Sequence, residues 1–244
     1  MKFGMTSLTF RAKSIEETIE SAKKAGIECI EWGVSEGHVG SDENIEKIKK
    51  LSAKHGIEIC SLGSYCYLEE EAHCMETVSL AAKLSAPTIR VWAGKKSPCD
   101  CDDEYFCTLV KNTQKMADEA AKYGIVISFE YHHNSLTETA ESAIKFIKAI
   151  NRENVKTHWQ PTGASIEDNK ASLKAVSPYL SGIFHVQNYK AGEGYLLIAD
   201  IKDRVKAMFE DYRDLDFCLL VEFTKDSAEE NLISDVNTLK EVLA

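Results

Sequence analysis

Three short segments carry residues that could do chemistry. Ile127-Ser-Phe-Glu-Tyr-His-His-Asn134 begins apolar and ends in a carboxylate and two imidazoles. Phe184-His-Val-Gln-Asn-Tyr189 and Val221-Glu-Phe223 are also apolar segments that end in, or enclose, polar ligand types. Side chains alternate across a strand, so residues two apart share a face. By that parity Ser128, Glu130 and His132 point one way while Phe129 and Tyr131 point the other. Cys218, Leu220 and Glu222 likewise oppose Phe217, Leu219, Val221 and Phe223. His185 and Gln187 share a face. Thr157-His-Trp-Gln-Pro161 puts His158 with Gln160 and sends Trp159 away. Arg90 pairs with Trp92, and Cys29 with Glu31, with His38 following in the loop Gly37-His-Val-Gly40.

If these strands belong to one barrel, Glu31, Arg90, Glu130, His132, Gln160, His185 and Glu222 converge at its mouth. Carboxylates brought close together repel, and a divalent ion held by Glu130, His185 and Glu222 relieves the repulsion. Mixed oxygen and nitrogen ligands suit Mn²⁺ or Mg²⁺ first, then Co²⁺ or Zn²⁺. Two such carboxylates suit proton transfer at a carbon beside a carbonyl. One removes the proton, the other returns one, and the cation stabilises an enediolate. Return to the same carbon is epimerisation; return to its neighbour is aldose–ketose isomerisation. Arg90, His132, His38 and Glu31 are candidates for binding substrate hydroxyls, and Trp92 or Trp159 for packing the apolar face of a sugar.

Other residues have plainer readings. His133 is expected in a surface loop, with His55 and His73 on exposed helix faces. Trp32 and Trp159 are expected to pack helix against strand. Gly192-Glu-Gly194 is either a phosphate cradle or a plain turn, the turn being favoured. Cys29, Cys60 and Cys218 lie in apolar runs and read as small core residues, whereas Cys99, Cys101 and Cys107 lack the paired C-x2-C spacing of a zinc site.

The elements needed to position such a set are legible. A phrase recurs at Lys24-Ala-Gly-Ile27, Lys54-His-Gly-Ile57 and Lys122-Tyr-Gly-Ile125, with a looser copy at Ser181-Gly-Ile-Phe184. Glycine fits the left-handed position just past a helix, and a lysine in the last turn suits the helix dipole. Each phrase therefore marks a helix ending and a strand beginning. Capping-box patterns at Ser14-Ile-Glu-Glu17, Ser165-Ile-Glu-Asp168 and Ser227-Ala-Glu-Glu230 open helices. Apolar residues at helical spacing (Ile15, Ile19 and Ala22; Leu232, Ile233, Val236, Leu239 and Leu243) give those helices a buried face. Strand-like runs fall near 2–10, 27–33, 57–62, 87–93, 125–131, 155–160, 182–188 and 216–223, with helical patterns between them. Eight β-α units of about 30 residues in 244 residues predict an α/β fold, a (βα)8 TIM barrel over 1–244 as a single domain. A doubly wound sheet would carry a glycine-rich turn after its first strand, and Thr6-Ser-Leu-Thr-Phe-Arg11 has no glycine.

The totals narrow the partners. With 29 basic and 39 acidic residues the net charge is −10, so nucleic acid and anionic membranes are poor partners. The N-terminus has no long apolar run, and a cytoplasmic protein with its eight cysteines as thiols is expected. A small-molecule partner is expected, and the sequence leaves a homo-oligomer open.

Five segments in this order resemble the xylose isomerase-like barrel superfamily: Ile30-Glu-Trp-Gly33, Ala86-Pro-Thr-Ile-Arg-Val-Trp92, Phe129-Glu-Tyr-His132, Phe184-His-Val-Gln-Asn-Tyr189 and Val221-Glu-Phe223. The resemblance covers nearly the whole chain. It implies a metal site with Glu130 from the fifth strand, His185 from the seventh and Glu222 from the eighth. It also implies an Asp on the sixth, where this chain has Gln160. The superfamily often shows His-x-Lys-Asp on the seventh strand, where this chain reads His185-Val-Gln187-Asn188, with Asn188 at a substrate position. With Gln160 for Asp, the ligand charge falls from −3 to −2 and the pull on a divalent ion weakens.

The expected function is a divalent-metal-dependent isomerase or epimerase of a sugar, sugar phosphate or polyol, in carbohydrate metabolism. A metal-free or catalytically degenerate sugar-binding barrel is the alternative, motivated by the two amides. An endonuclease IV-like repair enzyme ranks last, because it needs a multi-zinc cluster and a basic groove.

Overall fold

The structure is a computed structural model and describes residues 1–163, 165–212 and 214–243. Eight parallel strands close into a barrel: β1 (Lys2–Thr6), β2 (Cys29–Gly33), β3 (Glu58–Gly63), β4 (Thr88–Val91), β5 (Val126–Glu130), β6 (Val155–Trp159), β7 (Leu180–Val186) and β10 (Cys218–Val221). Their order is β1-β10-β7-β6-β5-β4-β3-β2. A two-stranded antiparallel hairpin, β8 (Tyr189–Lys190) with β9 (Gly194–Tyr195), follows β7. The helices are α1 (Ile15–Ala25), α2 (Asp42–His55), α3 (Glu71–Leu84), α4 (Asp103–Ala121), α5 (Ala140–Ile150), α6 (Ile166–Val176), α7 (Lys202–Phe209) and α8 (Glu229–Leu243). Among the described residues no helix is long and apolar enough to cross a membrane.

Local chemistry explains where the elements end. The Ser14 hydroxyl accepts from the Glu17 amide while Glu17 reaches back to the Ser14 N–H, so α1 opens with a full capping box. Such a cap stabilises by about 1 kcal/mol. Gly26 closes α1 in the left-handed region at φ 68, its N–H donating to the last turn, and Gly56 closes α2 the same way at φ 67. Two expectations fail. Ser227 lies in a 3-10 turn (Lys225–Ser227) ahead of α8, which starts at Glu229. Gly182 sits inside β7 and not at a helix end, because α6 stops at Val176 and a 3-10 turn intervenes. The run 2–10 also splits, β1 giving way at Ser7 to a 3-10 turn.

Contacts group the chain into two units. The first comprises residues 1–60, 161–170 and 182–244. Here β1 lies between β10 and β2, with Gly4 level with Leu220 on one side and Cys29 on the other. β7 flanks β10, with Leu220 level with His185. The outward parity is met by helix: Phe184 packs against Phe209 and Phe217. Ile15, Ile19, Ala22, Leu232, Val236 and Leu239 are buried, while Ile233 is half-buried.

The second unit comprises residues 61–160 and 171–181. β5 lies between β4 and β6, with Arg90 level with Ser128 and Glu130 level with His158. Phe129 packs outward on Phe146 of α5, which Phe106 of α4 also meets. Burying each such ring contributes about 1.5–3 kcal/mol. Trp159 donates from Nε1 to Ser172 Oγ at 3.1 Å and meets Tyr131, as its outward parity requires.

Candidate functional site

The first unit contributes a buried carboxylate–imidazole–carboxylate series. His185, wholly buried on β7, has its Nδ1 at 3.7 Å from Glu222 Oε1 and its Nε2 at 3.8 Å from Glu31 Oε1. Glu31 is also buried, and Glu222, just past the end of β10, is 16% exposed. The backbone around Glu222 is pinned on both sides. Thr6 Oγ1 donates to the Glu222 carbonyl at 2.6 Å, and the Thr224 N–H donates to Thr9 Oγ1 at 2.9 Å. Asp235, buried on α8, accepts from the Thr224 hydroxyl and the Ile198 N–H, both at 2.7 Å. Burial pushes the Asp235 carboxyl above the ordinary aspartate value. Sequence reading missed Asp235, because an acidic residue in a helical pattern ordinarily faces solvent. The hairpin adds Tyr195, whose ring meets Phe223 at 5.1 Å. Its phenol is pushed upward by burial and then by the charge of Glu222.

The second unit contributes a carboxylate that is already charge-matched. The Arg90 guanidinium donates to Glu130 Oε2, and both side chains are buried. Gln160 Nε2 donates to Glu130 Oε1 at 3.3 Å. The Gln160 carbonyl oxygen is buried and has no hydrogen-bond partner. A buried acceptor left unmet costs about 1–3 kcal/mol, so it is poised to receive a donor or a cation. Thr137 Oγ1 donates to the Glu130 carbonyl at 2.6 Å, and the Tyr131 N–H donates to the His158 carbonyl at 2.9 Å. His158 is wholly buried beside Glu130. Its inward parity was readable, yet only Gln160 of that strand was placed at the mouth.

An aromatic wall stands in the same unit. Trp92 lies 4.1 Å, centroid to centroid, from His132 and 5.5 Å from Tyr67. Its indole N–H is buried with no acceptor. His132 stacks on His133 at 4.1 Å and its Nδ1 is 2.7 Å from the His133 carbonyl. Burial pulls the His132 imidazole below its ordinary value, against the opposing pull of Glu130. His133 itself is exposed.

Two expected substrate residues make contacts within the fold. His38 is wholly buried, edge-on to Trp32 at 5.5 Å and with Nε2 at 3.4 Å from Thr18 of α1. Trp32 has the outward parity of β2, so His38 packs in the strand–helix layer. Asn188 gives its amide N–H to the Leu196 carbonyl at 2.7 Å, and its own carbonyl accepts from Leu196 N–H at 2.9 Å. Its side chain ties down the hairpin. The intervening Gly192-Glu-Gly194 forms a plain turn, with the Glu193 N–H donating to the Lys190 carbonyl.

The xylose isomerase-like TIM barrel family model matches residues 19–220. The chain belongs to that family. Within it, the chain is 22% identical over 210 residues to a 3-dehydroshikimate dehydratase of Bacillus anthracis, covering 79% of this chain and 74% of that one. Among solved structures, the probable 3-DHS dehydratase AsbF of Bacillus anthracis superposes with a TM-score of 0.80 at 18% identity, over 98% of this chain and 99% of the other. D-allulose 3-epimerase of a Methylomonas species superposes with a TM-score of 0.76 at 16% identity, over 99% and 98%.

The donor chemistry fits a hard divalent cation. Glu222 and the neutral form of His185 are oxygen and nitrogen ligands of the right kind. Glu31 on the other ring nitrogen is placed as an orienting partner, the arrangement that fixes a ligating imidazole. The unmet Gln160 oxygen is a neutral oxygen donor. Within the second unit the donor charge is lower than with an Asp at position 160, and Arg90 already engages Glu130.

Proposed function

We propose that this barrel is an enzyme that abstracts a proton from the carbon beside the carbonyl of a polyhydroxylated small molecule, working as a divalent-metal-dependent isomerase or epimerase. The observation that carries the reading is the inward Glu222, at a strand end, backed by a buried imidazole at 3.7 Å. A buried polar set this elaborate is costly unless it works on a ligand, and strand ends are where barrels of this type place their chemistry.

His185 and Glu222 would hold the cation, and the sequence assigns Glu130 and Gln160 to the same role. When bound, it supplies Lewis-acid polarisation of the substrate carbonyl and the neighbouring hydroxyl. Glu222 takes or returns the proton at carbon, and Glu130 serves the opposite step, its position fixed by Arg90. Trp92 would pack against the substrate, with His132 beside it. Mn²⁺ or Mg²⁺ matches the oxygen-rich set best.

A second reading, dehydration, is favoured by the similarity to the 3-dehydroshikimate dehydratase. It begins with the same proton abstraction and ends with loss of a β-hydroxyl as water. Incubation with ketoses and with 3-dehydroshikimate in D₂O, followed by mass spectrometry, tests both. Deuterium gained without mass loss marks epimerisation or isomerisation, water loss marks dehydration, and neither change in any substrate defeats the proposal.

A further inference from the structure

Three cysteines from three strands meet inside the first unit. Cys29 of β2, Cys60 of β3 and Cys218 of β10 place their Sγ atoms within 4.8 Å of one another. All three pairs are in thiol–thiol contact. They pack in a core cluster with Ile183 and Leu220. Cys29 and Cys60 are buried, and Cys218 is half-buried. No part of the proposed proton-transfer chemistry uses them.

The strands leave room for this meeting. β1 runs between β10 and β2, and the residue it places level with Cys29 is Gly4. A Cβ at Gly4 would stand 2.6 Å from the Cys29 Sγ and 2.4 Å from Leu220. The missing side chain lets thiols from either side of β1 reach over it.

We propose that Cys29, Cys60 and Cys218 form a three-thiolate site for a soft divalent cation such as Zn²⁺ or Cd²⁺. Metal–sulfur bonds of about 2.3 Å require sulfurs about 4 Å apart, which the 4.8 Å limit accommodates. Thiolates select soft cations over the hard ions suited to carboxylates. Hydrogen bonding to Cys218, and then burial, push Cys29 and Cys60 upward. Binding forms three S–M bonds, breaks three S–H bonds and passes three protons to solvent. The bound cluster carries one net negative charge.

Cadmium titration of the full chain carrying Cys99→Ser, Cys101→Ser and Cys107→Ser tests this, because those substitutions remove the three cysteines of the 99–107 segment. The expected result is one Cd²⁺ per chain, thiolate-to-cadmium absorption and three protons released. Adding Cys218→Ser lowers the affinity at least roughly tenfold, the scale lost even with an outer-shell partner. Adding Cys66→Ser leaves the affinity unchanged, which excludes the separate Cys66–Cys74 thiol pair. Cys60→Ser repeats the test at a second ligand, with circular dichroism confirming the fold. Absence of the absorption band, or its survival in folded Cys218→Ser and Cys60→Ser proteins, overturns the proposal.

Discussion

Arg90 on β4 donates to Glu130 at the end of β5, and both side chains are more than nine-tenths buried. The guanidinium supplies a fixed positive charge to a carboxylate that sequence reading assigned to a metal and to proton transfer. The pair sets Glu130 in place before any ligand arrives. It also means that an ion sharing Glu130 does so beside an existing cation.

Removing one member of a buried pair strands the other. Arg90→Leu is therefore expected to cost about 3–5 kcal/mol in urea unfolding. The double variant Arg90→Leu, Glu130→Gln should recover most of that loss. A cost below about 1 kcal/mol, the scale of an exposed pair, would contradict the burial argument.

Trp92 is half-buried between Tyr67 and His132 and carries a buried N–H with no acceptor. Trp92→Ala should raise KM several-fold, up to about tenfold, with kcat less affected, matching the 0.5–1.5 kcal/mol typical of an aromatic contact. Steady-state kinetics separates the two. A fall in kcat alone would assign Trp92 to the chemistry and not to binding.

His38 makes a pH prediction whose sign follows from burial. Its imidazole is held below the ordinary histidine value of 6.5, first by desolvation, with Arg11 adding to the shift and the Lys13 carbonyl opposing it. Above about 6.5 it is neutral in folded and unfolded chains alike. Below that the unfolded chain takes up the proton first, so stability falls as pH drops toward the folded value. The limit is about 1.4 kcal/mol per pH unit for one proton. His38→Leu should flatten the unfolding free energy between pH 6.5 and 5, leaving the share due to His132, which burial shifts the same way. An unchanged slope would place His38 in water.

Gln160 is the departure that most affects metal affinity. Gln160→Asp adds the missing negative charge beside Glu130 and should tighten Mn²⁺ binding by at least tenfold in calorimetry, or about 1.4 kcal/mol. The substitution also removes the amide that donates to Glu130, so metal-free stability should fall. No change in Mn²⁺ affinity would detach Gln160 from any cation.

The barrel was legible because its signals are local: glycine and lysine at helix ends, capping boxes, and alternation along strands. Alternation also aimed Glu31, Arg90, Glu130, Gln160, His185 and Glu222 correctly within each unit. It could not show pairing. That Arg90 closes on Glu130, or that His185 lies between Glu31 and Glu222, depends on strand register, which a period of two leaves open. His38 and Asn188 lie in connections with no period at all, and there a polar side chain can serve the fold as readily as a substrate. Asp235 was hidden for the opposite reason, since its helix buries a polar residue on an apolar face to anchor the loop after Glu222.

The central claim is proton abstraction by Glu222. Its most direct test is solvent deuterium incorporation into ketoses and 3-dehydroshikimate, comparing the native chain with Glu222→Gln. The substitution hardly changes side-chain volume, so the fold should persist. The native chain with Mn²⁺ should incorporate deuterium or eliminate water, and Glu222→Gln should slow this by about 10²–10⁴-fold. Equal exchange rates in the two proteins would remove Glu222 from the chemistry and contradict the account.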